Sequence, residues 1–186
     1  RGASPFFIEK GKGSKVWDVD GNKYIDFVNS LAAVTLGYCD IDVDKAVQDQ
    51  LKKGVIFSLP HILEMEVAEK LIDIIPCAEK VRFAKTGTDA TSAAVRIARA
   101  YTGRERVAVC GYHGWQDWYI GSTTRDLGVP QSVKELTHKF EYNNIESLGK
   151  IFQEHKLACV IMEPMNVEYP KDGFLEKVKK LVHKQK

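Results

Sequence analysis

The residues best suited to chemistry include a Thr86-Gly87-Thr88 turn between an apolar, strand-like run at 81–84 and a helix predicted over Asp89–Tyr101. Gly87 would let a ligand approach the backbone closely, and the N–H groups of the first helical turn point outward with the positive end of the helix dipole. The two threonine hydroxyls add hydrogen-bond donors. The pattern predicts a site for a phosphate monoester, although a capped helix that binds nothing would carry the same residues.

A second candidate group follows the apolar strand predicted at Val107–Cys110, where Tyr112 and His113 lie between Gly111 and Gly114. An aromatic ring and an imidazole at a strand end, flanked by glycines, can lie flat against a planar heterocycle. Aromatic side chains in a loop are also common in ordinary core packing. These residues alone leave both interpretations open.

The third candidate is Glu163, a carboxylate at the end of the apolar strand predicted at Ala158–Glu163. A single carboxylate in that position is often a hydrogen-bonded structural group. Ligands of open α/β sheets bind beyond the carboxyl ends of the strands. Three candidate groups on successive strand ends therefore indicate a shared site more strongly than any one of them does alone.

These groups need a scaffold, and the order of elements predicts one. From Lys80 onward, apolar strands alternate with helices, which predicts an α/β fold with a mainly parallel sheet covered by helices. Upstream, the alternating segment Val16–Val19, an Asp-Gly turn and the segment KYIDF predict an N-terminal β-hairpin. Two amphipathic helices should follow, the first capped by Asp42 and the second ended by Pro76.

Composition and missing motifs exclude several classes of protein. The 186 residues are 44% hydrophobic and 28% charged, as in an ordinary globular chain, and a net charge of +2 does not favour a nucleic-acid or membrane partner. The four cysteines form no CxxC pair and no cluster with metal-ligand spacing. No apolar run is long enough for a signal peptide or a membrane span. We therefore expect a cytoplasmic protein with no metal site.

The order of the motifs resembles that of class III aminotransferases, a branch of the fold-type-I pyridoxal 5'-phosphate (PLP) enzymes that includes glutamate-1-semialdehyde aminomutase. The segments that carry the resemblance are WDVDGNKYIDF, LEMEVAEKL with IIPCAEKVRF, TGTDATSAAVRIARAYTGR, GYHG, and the Glu-Pro pair that ends ACVIMEP. The resemblance covers nearly the whole chain. It implies the N-terminal part of a fold-type-I transferase, with residues 1–57 as a hairpin and helix segment and residues 58–186 as the first, incomplete part of the large PLP-binding domain.

The resemblance also implies roles for the candidate residues. Gly87 and Thr88 would hold the cofactor phosphate, with the Thr86 hydroxyl nearby. Tyr112 would stack on the pyridine ring, and His113 and Gly114 would help to shape that wall of the site. PLP is thus the expected cofactor.

Two further roles follow from the same resemblance: Glu163 would order the polar groups around the ring, and Ser30 would line the substrate pocket. The Schiff-base lysine and the ring-nitrogen aspartate of the family come later than Lys186, so no catalytic residue is assigned here and the chain alone is expected to be inactive.

The implied activity is amino-group transfer, by an aminotransferase or an aminomutase, on an amino acid, semialdehyde or amino sugar. The implied assembly is a homodimer that uses an amino donor and a carbonyl acceptor. The alternative is a non-catalytic domain of the same fold that binds a phosphorylated ligand or a partner.

Overall fold

The computed structural model describes residues 5–165 and 167–185 and divides the chain into two compact units, with the boundary between Glu79 and Lys80. Each unit contains a three-stranded sheet. The division at residues 57 and 58, implied by the family resemblance, stays a prediction.

The first unit begins with an antiparallel sheet. Lys15–Asp18 (β2) pairs with Ile8–Lys12 (β1) on one side and with Lys23–Ile25 (β3) on the other. Strands β2 and β3 form the predicted hairpin. Asp18 closes the turn, because its carboxylate accepts a hydrogen bond from the backbone N–H of Asn22 at 2.8 Å. Strand β1 was not predicted from the sequence.

From residue 5 to Glu79, the part of this unit that the structure describes, the chain also forms three helical segments: a single turn over Asn29–Ala32 (α1), then Ile41–Leu51 (α2) and Ile62–Ile74 (α3). All four residues of α1 have positive φ, between 50° and 71°, so the turn is left-handed. The prediction that Asp42 caps α2 is wrong. The cap is Asp40, which is extended and accepts hydrogen bonds from the N–H groups two and three residues further on.

The second unit is built on a parallel sheet, which confirms the predicted α/β fold. Arg106–Cys110 (β4) lies between Thr137–Lys139 (β5) and Leu157–Met162 (β6), and both pairings are parallel. The sequence pattern predicts β4 and β6 but not the three-residue β5.

The described residues of the second unit form five helices: Gly87–Thr102 (α4), Asp117–Ile120 (α5), Gln131–Lys134 (α6), Ile145–Glu154 (α7) and Phe174–His183 (α8). None of the helices in the described part of the chain has the length and apolarity that a bilayer crossing requires.

Strand β4 lies at the centre of the core, between β5 and β6. Its residues alternate between the two faces of the sheet, so they contribute to the packing on both faces. Val107 and Val109 pack with Val95 of α4 on one face. Ala108 and Cys110 pack on the other face with the cluster that includes buried residues of α7 and α8. Helices therefore cover both faces, and the carboxyl end of β4 is held firmly in place.

The strand predicted at 81–84 is wrong. These residues pair with no strand in the described part of the chain, and an extended segment without interstrand hydrogen bonds does not form part of a sheet. The turn after this segment forms as expected, because Thr86 caps α4.

Candidate functional site

A cleft of about 380 Å³ opens where α4 begins and the chain leaves β4. It brings together the residues predicted for the phosphate and the ring wall, with two additional neighbours; the full lining is Thr86, Gly87, Thr88, Thr91, Tyr112, His113, Gly114 and Trp115. The cleft therefore combines a helix N-terminus with an aromatic loop at a strand end, as the sequence pattern predicted.

The start of α4 is shaped by a reciprocal cap between Thr86 and Asp89. The Thr86 hydroxyl donates to the Asp89 carboxylate at 2.7 Å, and the Asp89 N–H donates back to that hydroxyl at 3.3 Å. The Thr86 N–H also donates to the Asp89 carboxylate at 3.2 Å. The proton of the Thr86 hydroxyl is thus used within the cap, so this residue shapes the helix start.

The backbone N–H groups of Gly87 and Thr88 make no hydrogen bond with any described residue. A Cβ placed on Gly87 would meet no atom within 4 Å, so the space beside this residue is open. Two free donors at the start of a 16-residue helix, facing open space, suit the phosphate group of PLP.

Hydrogen bonds attach the loop that follows β4 to the first turns of α4. The Trp115 N–H donates to the Thr88 hydroxyl oxygen at 3.3 Å, and the Thr91 hydroxyl donates to the His113 carbonyl oxygen at 2.9 Å. The Thr88 hydroxyl accepts here and keeps its own proton for a ligand. The two walls of the cleft are therefore tied together by polar contacts.

The sequence pattern does not single out three residues of this network: Thr91, Ser92 and Gln116. The Ser92 hydroxyl lies 3.0 Å from the Gln116 amide oxygen, which joins α4 to the same loop. Their spacing could have indicated two of them, because Thr91 and Ser92 follow Thr88 by three and four positions and so lie on the same face of α4.

Tyr112 presents an accessible ring at the cleft. The residue is 64% exposed, and the ring makes an edge-to-face contact with Tyr119, with 5.8 Å between the centroids and 87° between the planes. This contact supports the ring from the protein side. A planar ligand can still reach the ring.

His113 lies behind this wall and is 6% exposed. Its Nε2 is 3.0 Å from the Cys110 carbonyl oxygen and donates a hydrogen bond to it. Burial lowers the pKa of the imidazole, so His113 is neutral at neutral pH. The side chain is suited to supporting the wall rather than to supplying charge.

Glu163 reaches the same loop from the end of β6. Its carboxylate accepts a hydrogen bond from the Tyr112 N–H at 3.0 Å, and its own N–H donates to the Cys110 carbonyl oxygen at 3.1 Å. Gly111 allows this approach, because a Cβ at that position would overlap the Glu163 carboxylate. The structure therefore brings Glu163 to the backbone of the ring wall.

Ser30 lies in the first unit, in the left-handed turn α1, where its φ is 50° and its side chain is exposed. The cleft belongs entirely to the second unit. The substrate-pocket role of Ser30 stays a prediction.

The protein family described as aminotransferase class-III matches residues 1–186. The chain is 40% identical over 191 residues to the 3-aminobutyryl-CoA aminotransferase of Cloacimonas acidaminovorans, covering 98% of this chain and 45% of that protein. It is 41% identical over 193 residues to the glutamate-1-semialdehyde 2,1-aminomutase of Francisella philomiragia, covering 94% of this chain and 44% of that protein.

A solved structure shares both the fold and part of the sequence. The omega-transaminase from Sphaerobacter thermophilus superposes with a TM-score of 0.90 and 30% identity, over 100% of this chain and 48% of that one. The chain thus spans less than half the length of the proteins that it matches.

Proposed function

The chain belongs to the class III aminotransferase family, whose members depend on PLP, and on that premise we propose that it supplies the phosphate-binding and ring-binding part of an amino-group-transferring enzyme. PLP, when bound, supplies an electron sink that makes a proton on the substrate carbon acidic. The task of this chain is to bind and orient that cofactor.

The observation that carries the proposal is the pair of free N–H groups at Gly87 and Thr88, in one cleft with the exposed ring of Tyr112. The N–H groups and the Thr88 hydroxyl would hold the phosphate at the positive end of α4. The Tyr112 ring would cover one face of the pyridine and exclude water from it. Thr86 would keep the helix start in shape through its cap with Asp89.

The residues around the ring have supporting roles in this proposal. Neutral His113 would support the wall from within the core, and Glu163 would order the polar groups around the ring through the Tyr112 backbone. Ser30 would line the substrate pocket. The lysine that binds the cofactor covalently and the carboxylate that pairs with the ring nitrogen would come from outside residues 1–186.

We further propose that the complete enzyme is a cytoplasmic homodimer that uses a primary amine as donor and a carbonyl compound as acceptor. An amino acid, a semialdehyde or an amino sugar fits this class. Of the two relatives named above, the glutamate-1-semialdehyde 2,1-aminomutase supports the semialdehyde class.

The proposal is tested by amino-transfer assays on the complete polypeptide, with several donors and acceptors, alongside borohydride fixation of PLP and peptide mapping. We expect turnover and one stoichiometrically labelled lysine outside residues 1–186, whereas the 186-residue chain alone should show no turnover. PLP binding without transfer to any acceptor would favour a non-catalytic domain. A single labelled lysine within residues 1–186, together with turnover by this chain alone, would contradict the assignment.

A further inference from the structure

We propose that Tyr119 and Glu163 act together as positioning residues that fix the peptide group between Gly111 and Tyr112, and thereby hold the Tyr112 ring in the cleft. The inference rests on the proposed function, in which that ring stacks on the cofactor. Neither the sequence pattern nor the family resemblance assigns a role to Tyr119.

The evidence is a pair of hydrogen bonds to the two ends of one peptide group. The Tyr119 hydroxyl donates to the Gly111 carbonyl oxygen at 2.8 Å. The N–H of the same peptide group, which belongs to Tyr112, donates to the Glu163 carboxylate at 3.0 Å. A rotation of this peptide plane would break both bonds together.

Such fixation matters because Gly111 is conformationally permissive. Its φ is +91°, a region that other residues rarely adopt, and a Cβ here would overlap the Glu163 carboxylate. Glycine is therefore needed for the close approach, but glycine alone would leave the direction of the next residue poorly defined. The two hydrogen bonds supply the missing constraint.

Tyr119 is well placed to provide a rigid anchor. It is 5% exposed and packs in the core cluster that contains Val107, Val109 and Trp118. Its ring also meets the Tyr112 ring edge to face. Burial, with the Glu163 charge adding to it, raises the pKa of the Tyr119 hydroxyl, which therefore stays protonated and able to donate.

The consequence is a continuous connection from the core to an exposed functional ring. Tyr112 itself is 64% exposed, so little packing restrains it on the solvent side. Tyr119 holds it through the carbonyl and the ring edge, and Glu163 holds it through the N–H. Loss of either bond should let the ring adopt other orientations and weaken stacking.

The test compares Tyr119→Phe with Tyr142→Phe in the complete protein. Both changes remove a hydroxyl that donates to a backbone carbonyl, but the Tyr142 hydroxyl bonds to Pro164 at 2.6 Å instead of to the 111–112 peptide. We expect the dissociation constant for PLP to rise about 3- to 10-fold in Tyr119→Phe, the size expected for one hydrogen bond, and to stay unchanged in Tyr142→Phe.

A second readout does not depend on PLP. Amide hydrogen exchange of the cofactor-free protein should be faster at Tyr112 in Tyr119→Phe and in Glu163→Ala. Glu163→Gln should preserve the protection, because its amide oxygen can still accept the N–H. Wild-type exchange rates in Tyr119→Phe would overturn the proposal.

A double variant tests whether Tyr119 acts through Tyr112. In a Tyr112→Ala background, Tyr119→Phe should not change the PLP dissociation constant further. The same 3- to 10-fold loss in that background would overturn the positioning role. A complete wild-type protein that does not bind PLP would refute the proposed function instead, while the exchange measurements would still decide whether the peptide group is held.

Discussion

Thr88 and Gly114 approach each other so closely that the glycine has no room for a side chain. A Cβ on Gly114 would overlap the side chain of Thr88, and the glycine has a φ of +104°. This contact seats the loop after β4 directly against the first turn of α4. The shape of the cleft depends on it.

Gly114→Ala should therefore destabilise the protein and weaken PLP binding. The left-handed backbone and the overlap with Thr88 together should lower the free energy of unfolding by about 1–3 kcal/mol. Gly128→Ala is the matched control, because Gly128 also has positive φ, at +85°, but a Cβ there would meet no atom within 4 Å. Denaturant unfolding of both variants separates the effect of the overlap with Thr88 from the effect of backbone strain. If the two variants lose the same free energy of unfolding, the contact with Thr88 is unimportant for stability.

Gly87→Leu should weaken PLP binding severely while leaving stability nearly unchanged. The new side chain has open space to occupy, and that is the space assigned to the phosphate. Gly149→Leu is a suitable control, since Gly149 is also helical and a Cβ there also meets nothing. Equilibrium dialysis measures retention of the cofactor, and unchanged retention in Gly87→Leu would remove this residue from the phosphate site.

Tyr112→Ala should remove the stacking contribution to the free energy of PLP binding, about 0.5–1.5 kcal/mol in addition to the contribution of the buried area. The loss of stacking alone should raise the PLP dissociation constant about 2- to 12-fold. Tyr101→Ala controls for loss of an exposed aromatic residue, because Tyr101 lies at the far end of α4 and is 90% exposed. Wild-type cofactor affinity and turnover in Tyr112→Ala would mean that the ring serves packing alone.

The stability of the second unit should fall in mild acid because of His138. Its ring stacks on His155, with 4.2 Å between centroids, and burial lowers its pKa below 6.5, with electrostatic contributions from His155 and Arg106 in the same direction. The Glu154 carboxylate opposes this shift. The folded state therefore keeps His138 neutral at a pH where the unfolded chain is already protonated.

Because the unfolded chain then binds more protons, the free energy of unfolding should decrease as the pH falls below 6.5 and stop decreasing, for this group, below its folded pKa. Burial also lowers the pKa of His113, so this residue should change the free energy of unfolding in the same direction. Chemical unfolding of the complete protein between pH 7 and about pH 5 tests this pH dependence. The range lies above the pH at which the carboxylates of the unfolded chain titrate. His138→Gln should flatten the slope, and an identical slope would contradict the prediction.

Local sequence patterns predicted much of this architecture. The period-two segment at Val16–Val19 and its Asp-Gly turn specified the hairpin, and the apolar runs of β4 and β6 specified a parallel sheet. The cleft brings together Gly87, at the start of α4, and Tyr112, which follows β4, although the strand expected before Gly87 does not form.

The errors have identifiable causes. The run at 81–84 has strand-like residues, but strand formation depends on a partner, which a single segment cannot specify. Asp40 and Asp42 are both good cap residues, and only the extended backbone at Asp40 decides between them. Tyr119 was missed because its role arises from a bond to a backbone carbonyl eight residues away, which leaves no motif.

A crystal structure of the complete protein with PLP tests the central claim most directly. We predict phosphate oxygens within hydrogen-bond distance, about 2.7–3.2 Å, of the backbone nitrogens of Gly87 and Thr88, and the pyridine ring against Tyr112. A cofactor phosphate bound elsewhere, with these two N–H groups facing only solvent, would contradict the account.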